Sequence, residues 1–295
     1  MNSIVSQMLE RYDCRTREDY LNALKEIAQE TALCALAGTD FFSHAAFYGG
    51  TALRIFYGLD RYSEDLDFSL MKKEEFRLEG YFSALEQTFA SLGMSFKVFS
   101  KVKNAESTIQ SAFLKGGTLE HMLLIGAPPE IARHIQHNES LKIKFEIDID
   151  PPAFADFEFK HRLLPFPYRV RLYDKGSLFA GKLHAVLARD WKNRIKGRDL
   201  FDYLFYVASE TRPNLLHLRE RLVASGKWHA DKPLAMEDLR CLLLQRFNEL
   251  DFSKAKEDVL SFVGNPASLD LWSREFFVSV TDDFFARMES KGMHE

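Results

Sequence analysis

The sequence predicts an α+β protein with a second, helical domain. Two segments, residues 65–70 and 141–150, alternate strictly between polar and apolar residues, as half-buried strands do. From residue 175 onward almost every segment instead has the spacing of amphipathic helices. We therefore place an α+β domain at residues 1–170 and a helical domain at residues 171–295.

The first domain is predicted to begin with a long helix. Thr16 and Asp19 form a capping box at its start, the helix runs to Ala37, and Gly38 ends it. The remaining elements, in order, are a strand at 45–48, a turn at 49–50, a helix at 51–57, a strand at 65–70, a helix at 74–92, an antiparallel meander at 94–125, a strand at 141–150 and a proline-rich connector to 167.

The second domain is predicted to be entirely helical. Its segments lie near 176–190, 198–210, 213–225, 235–250, 254–263 and 272–289. The 26 phenylalanines are spread along both domains at helix or strand spacing, which assigns most of them to the core.

Composition limits the class of protein. Apolar residues make up 46% of the chain and the net charge is −4, so any nucleic acid must meet a local basic patch rather than a globally basic surface. The three cysteines are far apart and form no disulfide framework or zinc motif. The first ten residues do not resemble a signal peptide, and no apolar run reaches the roughly 18 residues of a membrane span, so we expect a cytoplasmic protein without membrane contact.

The segment from Phe47 to Leu70, FYGGTALRIFYGLDRYSEDLDFSL, carries the chemistry. A Gly-Gly pair that opens a helix allows close approach of a phosphate to the first N–H groups of that helix. Asp65 and Asp67 lie two residues apart on a strand, so both carboxylates point from one face and suit Mg²⁺. Taken singly, the pair is also compatible with a solvated strand face and the glycines with an ordinary turn.

In combination, these motifs resemble a known family. GGTALRIFYGLDRYSEDLDF is similar to the signature of the AbiEii/AbiGii nucleotidyltransferases, toxins of type IV toxin–antitoxin and abortive-infection systems. Lys182, Arg189 and the run KGRDLFD at 196–202 resemble the later motif of that family. The resemblance, which spans residues 47–202, implies a nucleotidyltransferase domain with a mixed sheet, followed by a helical bundle that closes the active-site cleft.

The resemblance also implies roles for individual residues. The nucleotide would be held by Gly49, Gly50, Thr51, Arg54 and Lys182, Mg²⁺ by Asp65 and Asp67, and the catalytic set would be completed by Lys182, Asp199, Asp202 and Glu146. Structural alternatives exist: Asp202 could pair with Arg198, and Arg61 with a nearby carboxylate in its own loop.

The third acidic residue of the site is left open by the sequence. Glu146 and Asp148 share a strand face, and we favour Glu146, with Asp199 or Asp202 as further alternatives. Lys142 and Lys144 lie on that same face and could simply neutralise these carboxylates.

A basic run near the later motif is the candidate RNA-binding segment. It comprises Arg189, Trp191, Lys192, Arg194, Lys196 and Arg198. The tryptophan could stack on a base while the cations contact phosphates, although a solvated helix end has the same composition.

The predicted function is Mg²⁺-dependent transfer of a nucleoside monophosphate from an NTP to an acceptor. The resemblance implies that the acceptor is a tRNA end or another RNA and that a cognate antitoxin is a partner. Three alternatives remain: transfer to a protein or small molecule, a metal-dependent phosphohydrolase, and a non-catalytic nucleotide-binding module. The sequence contains no HExxH, GxSxG or P-loop motif.

Overall fold

A computed structural model describes residues 4–101, 107–190 and 195–292. The chain divides into two compact units. The first comprises Met1–Phe56, Tyr62–Pro151 and Glu158–Leu172, and the second comprises Tyr57–Arg61, Pro152–Phe157 and Tyr173–Glu295.

The described strands form one mixed sheet. They are β1 (Ala45–Tyr48), β2 (Leu66–Leu70), β3 (Phe96–Lys101), β4 (Ile109–Gly117), β5 (Ser140–Asp148), β6 (Phe157–Arg162) and β7 (Tyr168–Tyr173). Their order across the sheet is β3-β4-β5-β2-β1-β7-β6. β2 pairs in parallel with β5, and β1 in parallel with β7, whereas β1 with β2, β3 with β4 and β4 with β5 are antiparallel.

Helices make up most of the remaining described structure. They are α1 (Ile4–Leu9), α2 (Arg17–Ala37), α3 (Phe41–His44), α4 (Gly49–Tyr57), α5 (Phe82–Ser91), α6 (Thr118–Leu124), α7 (Pro129–Ala132), α8 (Lys175–Ala188), α9 (Gly197–Ala208), α10 (Leu215–Ala224), α11 (Met236–Asn248), α12 (Phe252–Val259) and α13 (Arg274–Gly292). In the described part of the chain no helix combines the length and the apolar character needed to cross a membrane. The α+β class is confirmed.

The core of the first unit lies on one face of the sheet. Phe68 of β2 stacks on Phe145 of β5 with ring centroids 4.7 Å apart, and Phe41 meets Phe68 edge-on at 4.9 Å. All three side chains are fully buried, and each contributes roughly 1.5–3 kcal/mol through burial. Because side chains alternate along a strand, the neighbouring residues Asp67 and Glu146 point to the opposite face.

The capping box predicted for the long helix is confirmed. The Thr16 side chain accepts a hydrogen bond from the Asp19 N–H, the Asp19 carboxylate accepts one from the Thr16 N–H, and the helix ends at Gly38. These bonds satisfy backbone N–H groups that have no partner inside the helix.

The core of the second unit is aromatic. Phe179 of α8 stacks on Tyr206 of α9 with centroids 4.5 Å apart, and Tyr203 packs between Phe247 and Phe277. Gly197 allows α9 to lie against α12, because a Cβ atom at this position would come within 1.8 Å of the Ala255 carbonyl oxygen. The predicted helices of this unit match α8 to α13 to within a few residues.

The helix predicted at 74–92 begins later than expected. Residues 78–81 form a short 3₁₀ turn, and α5 starts only at Phe82. The Gln110 side chain of β4 explains the difference, since it donates to the Phe76 carbonyl and accepts from the Leu78 N–H. These two bonds hold residues 76–78 against the sheet in place of helical hydrogen bonds.

Two further predictions were wrong. The meander predicted over 94–125 ends at Gly117, and Thr118–Leu124 is helix α6, which buries His121 and Met122. The connector predicted up to residue 167 contains strand β6, whose aromatic residues Phe157 and Phe159 are exposed rather than buried. This strand forms because it pairs with its neighbour at the edge of the sheet. The sequence does not predict it, because it has no buried apolar face.

Candidate active site

Gly49 brings the start of α4 against the carboxylate of Asp67. Its φ of +83° lies in the left-handed region that favours glycine. A Cβ atom at this position would lie 2.6 Å from Oδ2 of Asp67, too close for any side chain. The turn therefore requires glycine for its backbone conformation and for its contact with Asp67.

Thr51 joins the start of α4 to the start of β2. Its side chain is buried, and its hydroxyl donates to the Asp65 carbonyl oxygen at 2.5 Å and lies 2.9 Å from the Ser63 hydroxyl. The hydroxyl thus fixes the strand that carries the two aspartates. What Gly50 and Thr51 can offer a phosphate is their backbone N–H groups, since the first-turn N–H groups of a helix have no partner within it.

Asp67 and Glu146 are direct neighbours across two parallel strands. The register of β2 and β5 pairs these two residues, and the register of β1 and β2 pairs Tyr48 with Asp67. Asp148 is paired with Ser69, which lies two residues beyond Asp67 along β2 and so further from Asp65. The register therefore favours Glu146 over Asp148 as the carboxylate beside the aspartate pair.

Lys144 supplies a positive charge among these carboxylates. Its Nζ lies 2.5 Å from Oε2 of Glu146, whose Oε1 accepts from the Ser111 hydroxyl at 3.0 Å. Burial alone would lower the pKa of Lys144, but the carboxylates of Glu146, Asp65 and Asp67 together raise it. The ammonium is therefore held in its charged form by three surrounding carboxylates.

The donor chemistry at this position suits a hard divalent cation. Asp65 and Asp67 offer carboxylate oxygens, the ligands that Mg²⁺ prefers. Because Gly49 has no side chain, it leaves space beside the Asp67 carboxylate. Within residues 4–101, 107–190 and 195–292, no three His, Cys, Asp or Glu side chains are gathered as a complete metal site. Asp65 and Asp67 are the residues that could hold the cation, because Glu146 is already paired with Lys144.

Arg54 of α4 points toward α2. Its Nε lies 2.9 Å from Oε2 of Glu26, and its guanidinium lies over the Tyr62 ring at 4.8 Å from the centroid. Although burial would lower the pKa of Arg54, the Glu26 carboxylate raises it. These contacts give Arg54 a role in holding α4 against α2, and the role in nucleotide binding predicted for it stays a prediction.

The second unit contains a cluster of five charged residues, four of them largely buried and the fifth, Arg189, 41% exposed. Lys182 of α8 lies 2.7 Å from both Asp199 and Asp202 of α9, and Arg61 contacts Asp202 through Nε at 2.6 Å and through its second nitrogen at 2.7 Å. Arg189 completes the cluster with an ion pair to Asp199. Asp199 and Asp202 thus share a helix face, as their spacing predicts, and their cations come from two places in the chain: Arg61, and α8 with its C-cap residue Arg189.

The electrostatics of this cluster explain why buried charges are retained. Burial would raise the pKa of Asp202, but Arg61 and Lys182 more than offset it and lower the pKa. Burial would likewise lower the pKa of Lys182, and Asp199 with Asp202 raises it. Asp202 is completely buried, whereas the Lys182 side chain keeps 15% of its surface exposed.

Arg61 therefore has a partner far away in the sequence. From the sequence, a carboxylate in the same loop was the expected alternative partner of Arg61, and Arg198 was the expected alternative partner of Asp202. In the structure Arg61 and Asp202 pair with each other, and the Arg198 guanidinium lies over the Phe262 ring at 4.2 Å from its centroid. No local signal could have indicated a contact across 141 residues.

The predicted RNA-binding segment is described only in part. Trp191, Lys192 and Arg194 lie outside the described residues. Arg189 pairs with Asp199, and Lys196 occupies the N-cap position of α9. The segment as a whole stays a prediction.

Two solved structures match this chain over most of its length. JHP933 from Helicobacter pylori is a structural neighbour with a TM-score of 0.50 and 16% sequence identity, and the match covers 92% of this chain and 94% of that one. A candidate nucleotidyltransferase from H. pylori matches with a TM-score of 0.49 and 19% identity over 89% of this chain and 94% of its own. The comparison with curated proteins gave no match.

A family model identifies the class. The model described as "Nucleotidyl transferase AbiEii toxin, Type IV TA system" matches residues 31–278. The match includes both the aspartate pair and the buried ion-pair cluster, so the chain is a nucleotidyltransferase. It belongs to the AbiEii family, the toxins of type IV toxin–antitoxin systems.

Proposed function

We propose that this nucleotidyltransferase transfers a nucleoside monophosphate from an NTP to the end of a tRNA or a similar RNA, in a reaction that depends on Mg²⁺. The observation that carries the proposal is Asp67 of β2, with Asp65 directly before that strand and both carboxylates near Lys144, beside a turn that requires glycine at position 49. This arrangement supports the proposal because carboxylate oxygens suit a divalent cation and the first N–H groups of a helix suit a phosphate.

The reaction is an in-line substitution at the α-phosphorus. An acceptor hydroxyl oxygen forms a new bond to that phosphorus, the bond to the oxygen that bridges the α- and β-phosphates breaks, and pyrophosphate leaves. Bound Mg²⁺ would neutralise charge that builds up on the phosphate oxygens. The protein's contribution is mainly positioning and electrostatic stabilisation, as is general for such transfers.

The residues divide the work. Gly49, Gly50 and Thr51 bind the triphosphate through backbone N–H groups, and Asp65 and Asp67 hold the cation. Glu146 receives the proton of the acceptor hydroxyl, since it is the carboxylate in register with Asp67 and is oriented by Ser111 and Lys144.

The buried cluster has a supporting role in this proposal. The family resemblance assigns Lys182 to the nucleotide, and that role is part of the proposal. Asp199 and Asp202 act as positioning residues, because both are almost completely buried and bound to cations. We further propose an NTP co-substrate, a cognate antitoxin partner and action in the cytoplasm, as the family implies.

The test is incubation of the full chain with each labelled NTP, Mg²⁺ and total tRNA. Asp65→Asn and Asp67→Asn should each reduce labelling of RNA by about 100-fold or more, the scale seen when one charge-stabilising group is removed from an active site. Asp13→Asn is the matched control, because that carboxylate is exposed and pairs with Arg15 far from the motif in sequence. Its labelling activity should equal that of the wild type.

Other products would contradict the proposal in specific ways. Label on protein indicates a different acceptor, and release of free phosphate indicates a hydrolase. Full activity of Asp65→Asn and Asp67→Asn in the presence of Mg²⁺ would overturn the assignment of the cation site.

A further inference from the structure

The open face of β3, β4 and β5 is rich in lysine. The register places Lys97, Lys115 and Lys142 in one row across these three strands, with Lys144 one repeat further along β5 and Lys101 one repeat beyond that on β3. All lie on the face that carries Glu146, since paired residues share a face and residues two apart along a strand share it too. The acidic residues of this part of the face are Glu146, which pairs with Lys144, and Asp148, and Glu86 of α5 pairs with Lys97.

We call these five residues, Lys97, Lys101, Lys115, Lys142 and Lys144, the lysine ladder. Two phenylalanines lie among them. Phe99 of β3 and Phe113 of β4 form a direct pair, in the same row as Lys144. Phe99 is 50% exposed, and the Lys115 ammonium lies 4.9 Å from its ring centroid. The Lys101 ammonium lies 5.9 Å from the Phe113 ring. Each ring therefore has a lysine ammonium close to it. An exposed ring such as Phe99 is not explained by burial in a core, so it marks a surface that can contact a ligand.

The ladder continues directly into the candidate active site. In the row next to that of the two phenylalanines, Lys101, Ser111, Glu146 and Asp67 follow one another across β3, β4, β5 and β2. Neighbouring strands are about 4.8 Å apart, so β3 and the Asp67 carboxylate are separated by only about 14 Å. A chain that lies across these strands can reach the aspartates without leaving the surface.

We propose that the lysine–phenylalanine face of β3–β5 binds a single-stranded segment of the RNA acceptor and leads its end to Asp65 and Asp67. Lys101, Lys115 and Lys142 contact phosphates, and a base stacks on Phe99. The identity of the bound RNA as acceptor rests on the function proposed above, whereas binding itself does not.

The chemistry of the face selects this partner. Regularly spaced cations match a chain of phosphates, and an exposed aromatic ring beside them matches an unstacked base. The bases of a duplex are already stacked on each other, so a duplex cannot use Phe99 in this way. An acidic protein segment could use the lysines but would gain little from the ring.

Binding is measured without NTP and with EDTA, using a fluorescently labelled single-stranded RNA about 12 nucleotides long, within the range that such surfaces cover. Phe99→Ala should weaken binding by about 5- to 150-fold, the loss of one stacked base, and Phe99→Trp should restore it. Phe159→Ala is the matched control, because Phe159 is similarly exposed and lies on β6 at the other end of the strand order. Its affinity should stay near that of the wild type.

The salt dependence counts the phosphate contacts. Replacing Lys101, Lys115 and Lys142 together by Gln should reduce the slope of log affinity against log salt by about 2, at roughly 0.7 per contact to a single strand. The control removes the same three charges from Lys72, Lys73 and Lys254, which are exposed and lie outside the three strands. Its slope should be that of the wild type.

The outcomes separate this inference from the proposed function. If Phe99→Ala and the triple lysine variant bind RNA as the wild type does, the face is not the binding surface, even where RNA labelling is intact. If poly-L-glutamate of equal charge competes as well as RNA, the surface recognises acidic protein and the inference fails. Asp67→Asn should retain RNA binding, so loss of transfer in that variant bears on the proposed function alone.

Discussion

Loss of Arg61 from its ion pair with Asp202 should be one of the most destabilising single substitutions in the second unit, because it leaves a buried charge without its main partner. Both side chains are almost completely buried, at 3% and 0% exposure, and the guanidinium makes two hydrogen bonds to the carboxylate at 2.6 and 2.7 Å. Arg61→Met keeps much of the side-chain volume but removes the charge and all the donors. The variant leaves Asp202 buried with Lys182 as a remaining cation.

The expected cost follows from this geometry. Removing one partner of a buried pair costs roughly 3–5 kcal/mol, because the other charge is left without compensation in a medium of low polarity. Since Lys182 still contacts Asp202, we expect the lower end, about 3 kcal/mol. For a unit of this size such a loss corresponds to a decrease in Tm of about 6–12 °C.

Urea unfolding followed by far-ultraviolet circular dichroism measures this cost at pH 7. The matched control is Arg240→Met, which removes an arginine that also makes two bonds to one aspartate, Asp282, but with both side chains more than one-third exposed. Exposed pairs contribute only about 0–1 kcal/mol. If Arg61→Met costs no more free energy of unfolding than Arg240→Met, the reasoning from burial is refuted.

The same pair predicts a pH dependence. The cations lower the pKa of Asp202 below its ordinary value of 3.8 in the folded protein. A carboxylate with a lowered folded pKa contributes stability that is fully present above the unfolded pKa and is lost as the pH falls through the folded one. The difference in unfolding free energy between wild type and Arg61→Met should therefore be constant near neutral pH and should narrow below about pH 4. A difference that widens on acidification contradicts this assignment.

Three further predictions concern single residues. Gly49→Ala should abolish transfer and destabilise the first unit, as activity and thermal melting can show, since a Cβ atom would overlap Oδ2 of Asp67. Lys144→Met should lower Tm in EDTA through repulsion between Asp67 and Glu146, and added Mg²⁺ should recover the loss; melting curves that are unaffected by Mg²⁺ would oppose this. Burial lowers the pKa of His217 to about 4 from 6.5, so stability should fall as the pH drops from 6.5 toward 4, and His217→Gln should flatten that titration of unfolding free energy.

Local patterns in the sequence were sufficient to predict much of the fold. Strict alternation located β2 and β5, and the capping box located the start of α2, because each signal depends only on neighbouring residues. β6 could not be found this way, since its exposed phenylalanines invert the expected pattern and its formation depends on pairing at the sheet edge. The delayed start of α5 depends on the side chain of Gln110, which is distant in sequence.

The candidate site likewise has features that local sequence predicts and features that depend on contacts between distant parts of the chain. Spacing alone predicts that Asp65 and Asp67 share a face, and in the structure Asp67 lies in β2, Asp65 directly precedes that strand, and both carboxylates act on Lys144. Alternation placed Glu146 and Lys144 together. Glu146 was already favoured over Asp148, but its position beside Asp67 follows only from the register between β2 and β5, which no single strand contains. The pairing of Arg61 with Asp202 joins the segment after α4 to helix α9, which lies far away in the sequence, and only the three-dimensional structure provides it.

The most direct test of the central claim follows two positions of label in the same NTP. The full chain is incubated with Mg²⁺ and tRNA, once with the label in the α-phosphate and once with the label in the γ-phosphate. Nucleotidyl transfer predicts that the α-label enters RNA and that the γ-label leaves as pyrophosphate, with both signals lost in Asp67→Asn. Entry of the γ-label into RNA, or release of the α-label as free monophosphate without labelled RNA, would contradict the account.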